Sequence, residues 1–268
     1  MSVNIDFKKI LKAALKEGGE FADIFVERSI TTSITCEDNR IEKVISGIDS
    51  GAGIRVIFNK RSAYAFSNDL SEGSLLSLAE FAAKAARGDI HATVMDLRKK
   101  EASIRFDIKK APWDIPVTEK AGLVERANRT ARGYDNRIRQ AAVIYRDSLQ
   151  EVTIANSEGL LCEDRRGGTV FLVQVVAADG DVVQTGYEPV GGHAGFEIFD
   201  VVSPEEVASA ACRRGIMMLS ARKAPAGKMP VVLSSDAGGT MVHEAVGHGL
   251  EADLAQQGLS VYTGKIGE

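Results

Sequence analysis

Apolar side chains recur at helical spacing through Ile5, Phe7, Ile10, Leu11, Ala14 and Leu15, which predicts an amphipathic first helix. From Ala22 the pattern changes to short runs rich in β-branched residues, separated by turn formers. These runs predict strands near 22–29, 31–36, 41–46, 52–58 and 62–67. Asp38-Asn39 and Asn59-Lys60 suit reversals between them, because Asn and Asp tolerate positive φ and bond their own backbone. Ser71 stands where it would cap a second helix, with Leu75, Leu78, Ala79, Ala82 and Ala86 on one face and Gly88 at its end.

The same order returns about 119 residues later. A helix near 117–132 presents Val117, Ala121, Val124, Ala127 and Ala131, and strands follow near 139–147, 149–155, 159–164, 169–178 and 181–187. The match reaches single segments: Arg28-Ser29-Ile30 corresponds to Asp147-Ser148-Leu149, and Gly51-Ala52-Gly53-Ile54 to Gly167-Gly168-Thr169-Val170. Ser203-Pro204-Glu205-Glu206 then places a capping box and a first-turn proline ahead of a closing helix. The chain reads as two copies of a helix, β-meander, helix unit, about 1–88 and 116–219. The class is α+β, with antiparallel strands in one continuous sheet or two stacked sheets, flanked by helices. Residues 89–115 read as a charged surface connector, and the polar, turn-forming stretch from Ala221 to Lys228 separates residues 1–222 from a new domain over 223–268.

Composition narrows the function classes. With 44% apolar and 26% charged residues among 268, the chain has globular proportions and is not collagen-like, disordered or a disulfide scaffold. Lys plus Arg number 33 against 37 for Asp plus Glu, and aromatics are 6%, which argues against nucleic acid as a direct partner. The longest nearly uncharged run, around Val170 to Ala178, is about half of the ~20 apolar residues a membrane-spanning helix needs, so no membrane partner is expected. The N-terminal stretch mixes charges with its apolar residues and reads as a helix rather than a signal peptide. Cys36, Cys162 and Cys212 are odd in number, far apart and without a C-x-x-C pair, which predicts free thiols in a reducing cytoplasm.

The chemistry concentrates near the C-terminal end of the sequence. Pro230-Val231-Val232-Leu233-Ser234 predicts a short strand, and Ser235 to Gly239 a turn into a helix from about Thr240 to Leu254. That helix carries His243-Glu244-Ala245-Val246-Gly247-His248. Zinc helices commonly space two histidines by four so that both imidazoles face one ion. Here the spacing is five, and five residues of an ideal α-helix rotate about 500°, leaving the rings about 140° apart. A π-bulge would bring His248 back beneath His243, and Gly247 and Gly249 lower the cost of that distortion. The alternative is a glycine-loosened core helix with surface histidines. Glu251 and Asp253 follow the motif, but an ideal helix points Glu251 about 80° away from His243, which favours a supporting role over ligation. His193, in a glycine-rich loop, reads as a solvated histidine, His91 as a helix-end residue, and Arg165-Arg166 as a solvated turn.

The run Gly239-Thr240-Met241-Val242-His243-Glu244-Ala245-Val246-Gly247-His248-Gly249-Leu250-Glu251-Ala252-Asp253, with Thr263-Gly264-Lys265-Ile266-Gly267-Glu268, resembles the signature of the TldD branch of the TldD/PmbA family of zinc metallopeptidases. Gly51-Ala52-Gly53-Ile54-Arg55-Val56 with Ala65-Phe66, and the glycine-rich stretch from Gln184 to Glu197, look like the N-terminal half of the same family. The resemblance implies an N-terminal α+β domain, then a β-rich C-terminal domain whose helix supplies Zn²⁺ ligands at His243 and His248 and a catalytic base at Glu244. It also implies a cysteine as third protein ligand beyond residue 268, so that the chain reads as an N-terminal part of the family protein, weak in zinc binding and inactive alone.

The implied reaction is zinc-dependent hydrolysis of unfolded or short peptides, with Glu244 assisting the attack of water on the amide. The implied assembly is a homodimer, or a heterodimer with a PmbA-type paralogue lacking the zinc motif. The competing expectation is a non-catalytic binding or regulatory protein of the DNA gyrase modulator type, acting through protein partners.

Overall fold

The computed structural model describes residues 5–37, 39–86, 90, 92–101 and 106–268. Two compact units divide it, Met1–Ala221 and Arg222–Glu268.

The first unit is built on one seven-stranded sheet. Its strands are β1 (Phe21–Glu37), β2 (Arg40–Phe58), β3 (Arg61–Ser67), β4 (Arg98–Glu101), β5 (Ile138–Asn156), β6 (Leu160–Asp179) and β7 (Val182–Gly192). Order across the sheet is β3-β2-β1-β5-β6, beyond which β6 pairs with β7 along one stretch and with β4 along another. All pairings are antiparallel except β4 with β6. The repeat seen in the sequence is therefore a repeat in space. β1 and β5, the first strands of the two copies, lie side by side, with Ile30 opposite Leu149 and Ser29 opposite Gln150 at the middle of the pair. One continuous sheet, rather than two stacked ones, is the outcome.

The helices are α1 (Phe7–Ala14), α2 (Glu72–Ala85), α3 (Val117–Tyr134) and α4 (Pro204–Leu219). Asp6 caps α1 through the amide of Lys9, Ser71 caps α2, and Ser203 with Glu206 completes the expected capping box on α4. Ile10, Leu11, Leu75 and Ala79 pack on Ile24, Ile54 and Ala155 in one core; Val124, Ala127, Ala208 and Ala211 pack on Ile34, Tyr145, Phe171 and Val173 in another. Ile24 and Ile34 are an even number of residues apart on β1, and side chains on a strand alternate with period two, so both cores sit on the same face. One helix pair covers each end of that face.

Three expectations need correction. Five short strands per copy are three long ones. The stretches taken as reversals inside β1, β2, β5 and β6 are places where the apolar alternation is interrupted, by exposed positions in β2 and at Arg165-Arg166 and by the buried but polar Asp147 in β5, while the ladder of backbone bonds runs on. The Arg165-Arg166 pair accordingly lies within β6, not in a turn. Second, the connector over 89–115 contains β4 and a short 3₁₀ turn at Pro112–Asp114. Four charged residues, Arg98-Lys99-Lys100-Glu101, carry no strand signal, and only the free edge of β6 makes them one. Third, the strand expected over Pro230–Ser234 does not form, and the second unit shows no strand among its described residues. The positions of Asp38, Gly88 and His91 fall outside the described residues.

Candidate metal centre

In the second unit Ser234, itself extended, precedes α5 (Ser235–Val242). The backbone then widens into a π-turn over His243–Gly247, tightens into a 3₁₀ turn over His248–Leu250, and leaves the helix at Glu251, where ψ is 129°. A last short helix, α6, covers Ala252–Gln256. The expected single helix from 240 to 254 is thus four pieces. The amide of His248 donates to the carbonyl of His243, five residues back, which is the bond that defines the π-turn. One extra residue in the turn cancels most of the 140° divergence an α-helix would impose.

The two imidazoles consequently face each other, ring centroids 4.5 Å apart at 75°. One potential donor atom from each of His243, Glu244 and His248 lies within 4.8 Å of the others, and all three residues are exposed. His248 Nε2 is 3.5 Å from Glu244 Oε2, while its Nδ1 is 2.6 Å from Glu251 Oε1. The hydrogen bond and charge of Glu251, and the charge of Glu244, raise the His248 pKa above the ordinary histidine value. In the neutral ring the bond to Glu251 requires the proton on Nδ1, which leaves the Nε2 lone pair facing His243 and Glu244. Two imidazoles and a carboxylate, with one ring oriented from behind by a second carboxylate, form a donor set suited to zinc.

Glu251 reaches His248 only because the helix breaks there; on an unbroken spiral it would point elsewhere, so spacing alone does not reveal the contact. Gly249 has a packing reason of its own: a Cβ there would lie 2.7 Å from the Tyr262 ring, and Ser260 hydroxyl donates to the Gly249 carbonyl. Residues 260–262 therefore brace the turn, a role the sequence pattern did not signal. His193 belongs to the first unit, where it stacks on Phe106 at 4.1 Å and has Nδ1 3.3 Å from the Gly167 carbonyl. Cys36 and Cys212 are buried in the core beneath α3 and α4, and burial raises both thiol pKa values, that of Cys212 to about 11. They serve as apolar filling.

Comparison with known proteins supplies the lineage. Residues 22–86 match the first domain of the PmbA/TldA metallopeptidases, residues 110–219 the central domain and residues 226–268 the C-terminal domain. The chain belongs to the TldD/PmbA family. This is a family of metallopeptidases. A metalloprotease of Methanothermobacter thermautotrophicus is 32% identical over all of this chain and 58% of its own length. A metalloprotease TldD homolog of Haemophilus influenzae is 30% identical over 93% of this chain and 53% of its own, and a zinc metalloprotease TldD homolog of Saccharolobus solfataricus 28% identical over 93% and 54%. The chain thus spans just over half the length of these TldD/PmbA relatives. Among solved structures, a Thermotoga maritima protein described as a modulator of a DNA gyrase superposes with a TM-score of 0.77 at 19% identity, over 97% of this chain and 58% of that one. TldE from Thermococcus kodakarensis gives 0.61 at 18% identity, over 78% and 47%. At those identities the likeness is one of fold.

Proposed function

We propose that this chain carries the zinc helix of a TldD-type peptidase that hydrolyses unfolded or short peptides. The observation behind the reading is the π-turn that gathers His243, Glu244 and His248 donor atoms within 4.8 Å. His243 and His248 would hold the ion. Zinc held there supplies Lewis-acid polarisation of a carbonyl and acidifies water. Glu244 sits beside the same point with its carboxylate 3.5 Å from His248 Nε2, placed to take a proton from water and pass it to the departing amine. Glu251 orients His248. A cysteine as third protein ligand would complete the set, since two imidazoles alone make a poor cage.

The likeness to TldE supports a heterodimeric partnership, with a homodimer as the other arrangement, and three free cysteines support a cytoplasmic location. No described helix is long and apolar enough to cross a membrane. A regulatory role through protein partners is the competing reading, favoured by the gyrase-modulator description of a structural neighbour. Glu244→Gln in the full-length protein separates the two. Hydrolysis of a denatured protein substrate should fall by ~10² to 10⁴ with zinc content unchanged. Undiminished hydrolysis would remove Glu244 from the reaction, and a cellular effect that survives loss of hydrolysis would favour the binding role.

A further inference from the structure

The uncovered middle of the sheet is a cleft. Between the helix pair α1/α2 and the helix pair α3/α4, the same face of β2, β1, β5 and β6 floors a cavity of about 1230 Å³ contained within the first unit. Pockets for single small molecules are typically ~300 to 1,000 Å³, so this one has room for a larger and more extended ligand. Its floor is a row of cross-strand charges. Arg28 on β1 lies 2.8 Å from Glu151 on β5, and Arg165 on β6 lies 3.3 Å from the other oxygen of the same carboxylate. Arg165 also lies over the Trp113 ring at 5.0 Å, fixing the indole as a wall. Ile48 and Phe106, 65% and 42% exposed, offer apolar surface at the margin.

The charge balance decides what fits. Five carboxylates and three cationic side chains line the cleft on its own side of the sheet; Glu27, Lys100 and Asp164 are one residue out of phase and point to the other face. Lys99 is held by Glu163, and both arginines of the floor are spent on Glu151. Asp107 and Asp114 have no cationic partner among the described residues, whereas Glu27 points to the opposite face, where Gln150 donates to it. Aromatic and aliphatic walls with surplus acid match an extended polypeptide segment carrying Lys or Arg among apolar residues, because the side-chain stems can lie on the walls while the charged heads reach the carboxylates. From this geometry we infer that the cleft of the first unit is a docking site for extended basic peptide segments. The inference rests on the peptidase reading for its purpose, supplying a hold on the substrate apart from the zinc helix, but not for its test.

Trp113 is the chain's sole tryptophan and lines the cleft, so its fluorescence reports occupancy directly. Titrating this chain with a flexible lysine- and leucine-containing peptide should shift Trp113 emission saturably, and more weakly as salt rises. The same peptide with glutamate in place of lysine should leave the emission unmoved. The double variant Asp107→Asn, Asp114→Asn should bind the lysine peptide about fivefold less tightly, the sum of two exposed charge contacts. A circular dichroism spectrum checks that the variant is folded, and anisotropy of a labelled peptide provides a readout independent of the indole. Equal affinity for both peptides, no response from Trp113, or an undiminished double variant would overturn the inference. Peptide binding without zinc-dependent hydrolysis would defeat only the peptidase reading, and zinc-dependent hydrolysis in the full-length protein with an indifferent cleft would defeat only this one.

Discussion

Lys120, in the first turn of α3, is 2% exposed and lies 2.5 Å from the equally buried Asp147 of β5, with the Thr32 hydroxyl 3.5 Å away. Removing one partner of such a pair strands the other charge in the core, at a typical cost of ~3 to 5 kcal/mol, whereas replacing both with apolar groups is often neutral. Lys120→Met should therefore lower the unfolding free energy by about 3 to 5 kcal/mol in urea titration, and adding Asp147→Leu should restore most of it. Equal stability of the single and double variants would show that the pair is not electrostatically buried. Nothing in the sequence distinguishes Lys120 from a solvated helix lysine, because its burial depends on where β1 and β5 run. The histidines differ in this respect. Their spacing of five is an anomaly a reader can see, and it has one geometric remedy, the π-turn. Glu251 was hidden because its contact depends on the helix breaking at Glu251, well short of the expected end at Leu254.

At the scale of elements, close approach and junction chemistry set the fold. β7 passes α4 backbone to backbone: a Cβ on Gly186 would lie 2.0 Å from the Ala211 carbonyl oxygen and 2.6 Å from the Gly215 nitrogen. Gly186→Ala should thus destabilise by about 1 to 3 kcal/mol through displacement of α4, whereas Gly122→Ala, in open space on α3, should stabilise by up to about 1 kcal/mol. Urea midpoints of the two variants check this; matching shifts would contradict the close packing.

The α3 to β5 junction has a pH signature. Asp135 accepts bonds from the Arg137 guanidinium and amide, which hold its pKa at about 2 instead of the ordinary 3.8. A depressed folded value means that the stabilisation is complete above the ordinary value and lost as pH falls toward about 2. The stability gap between the parent and Asp135→Asn should close over that window, and parallel acid-titration curves would refute the assignment. Helices and caps were legible here because their signals are local. Long strands were not, since exposed stretches of β2 and β6 and the buried but polar Asp147 of β5 interrupt the apolar alternation.

The whole molecule combines a first unit with two cores on one sheet face and a second unit that carries the candidate metal centre. The tandem repeat was readable because each copy needs the same helices to cover the same strands, and pairing β1 with β5 turns that repetition into one sheet. The β character expected of residues 223–268 was not readable in them; Val232, Leu259 and Ile266 stand 99%, 71% and 101% exposed, and residues 231–234 have no strand partner. What remains decisive is whether two imidazoles share one ion. The chain has four histidines, His91, His193, His243 and His248, so the imidazole nitrogen resonances can each be followed through a zinc titration by NMR. The account predicts that the Nε2 signals of His243 and His248 shift together at one equivalent of bound zinc, with His248 Nδ1 still protonated toward Glu251 and the other two rings unaffected. A shift at only one of the pair, or an equal response from His91 or His193, would contradict it.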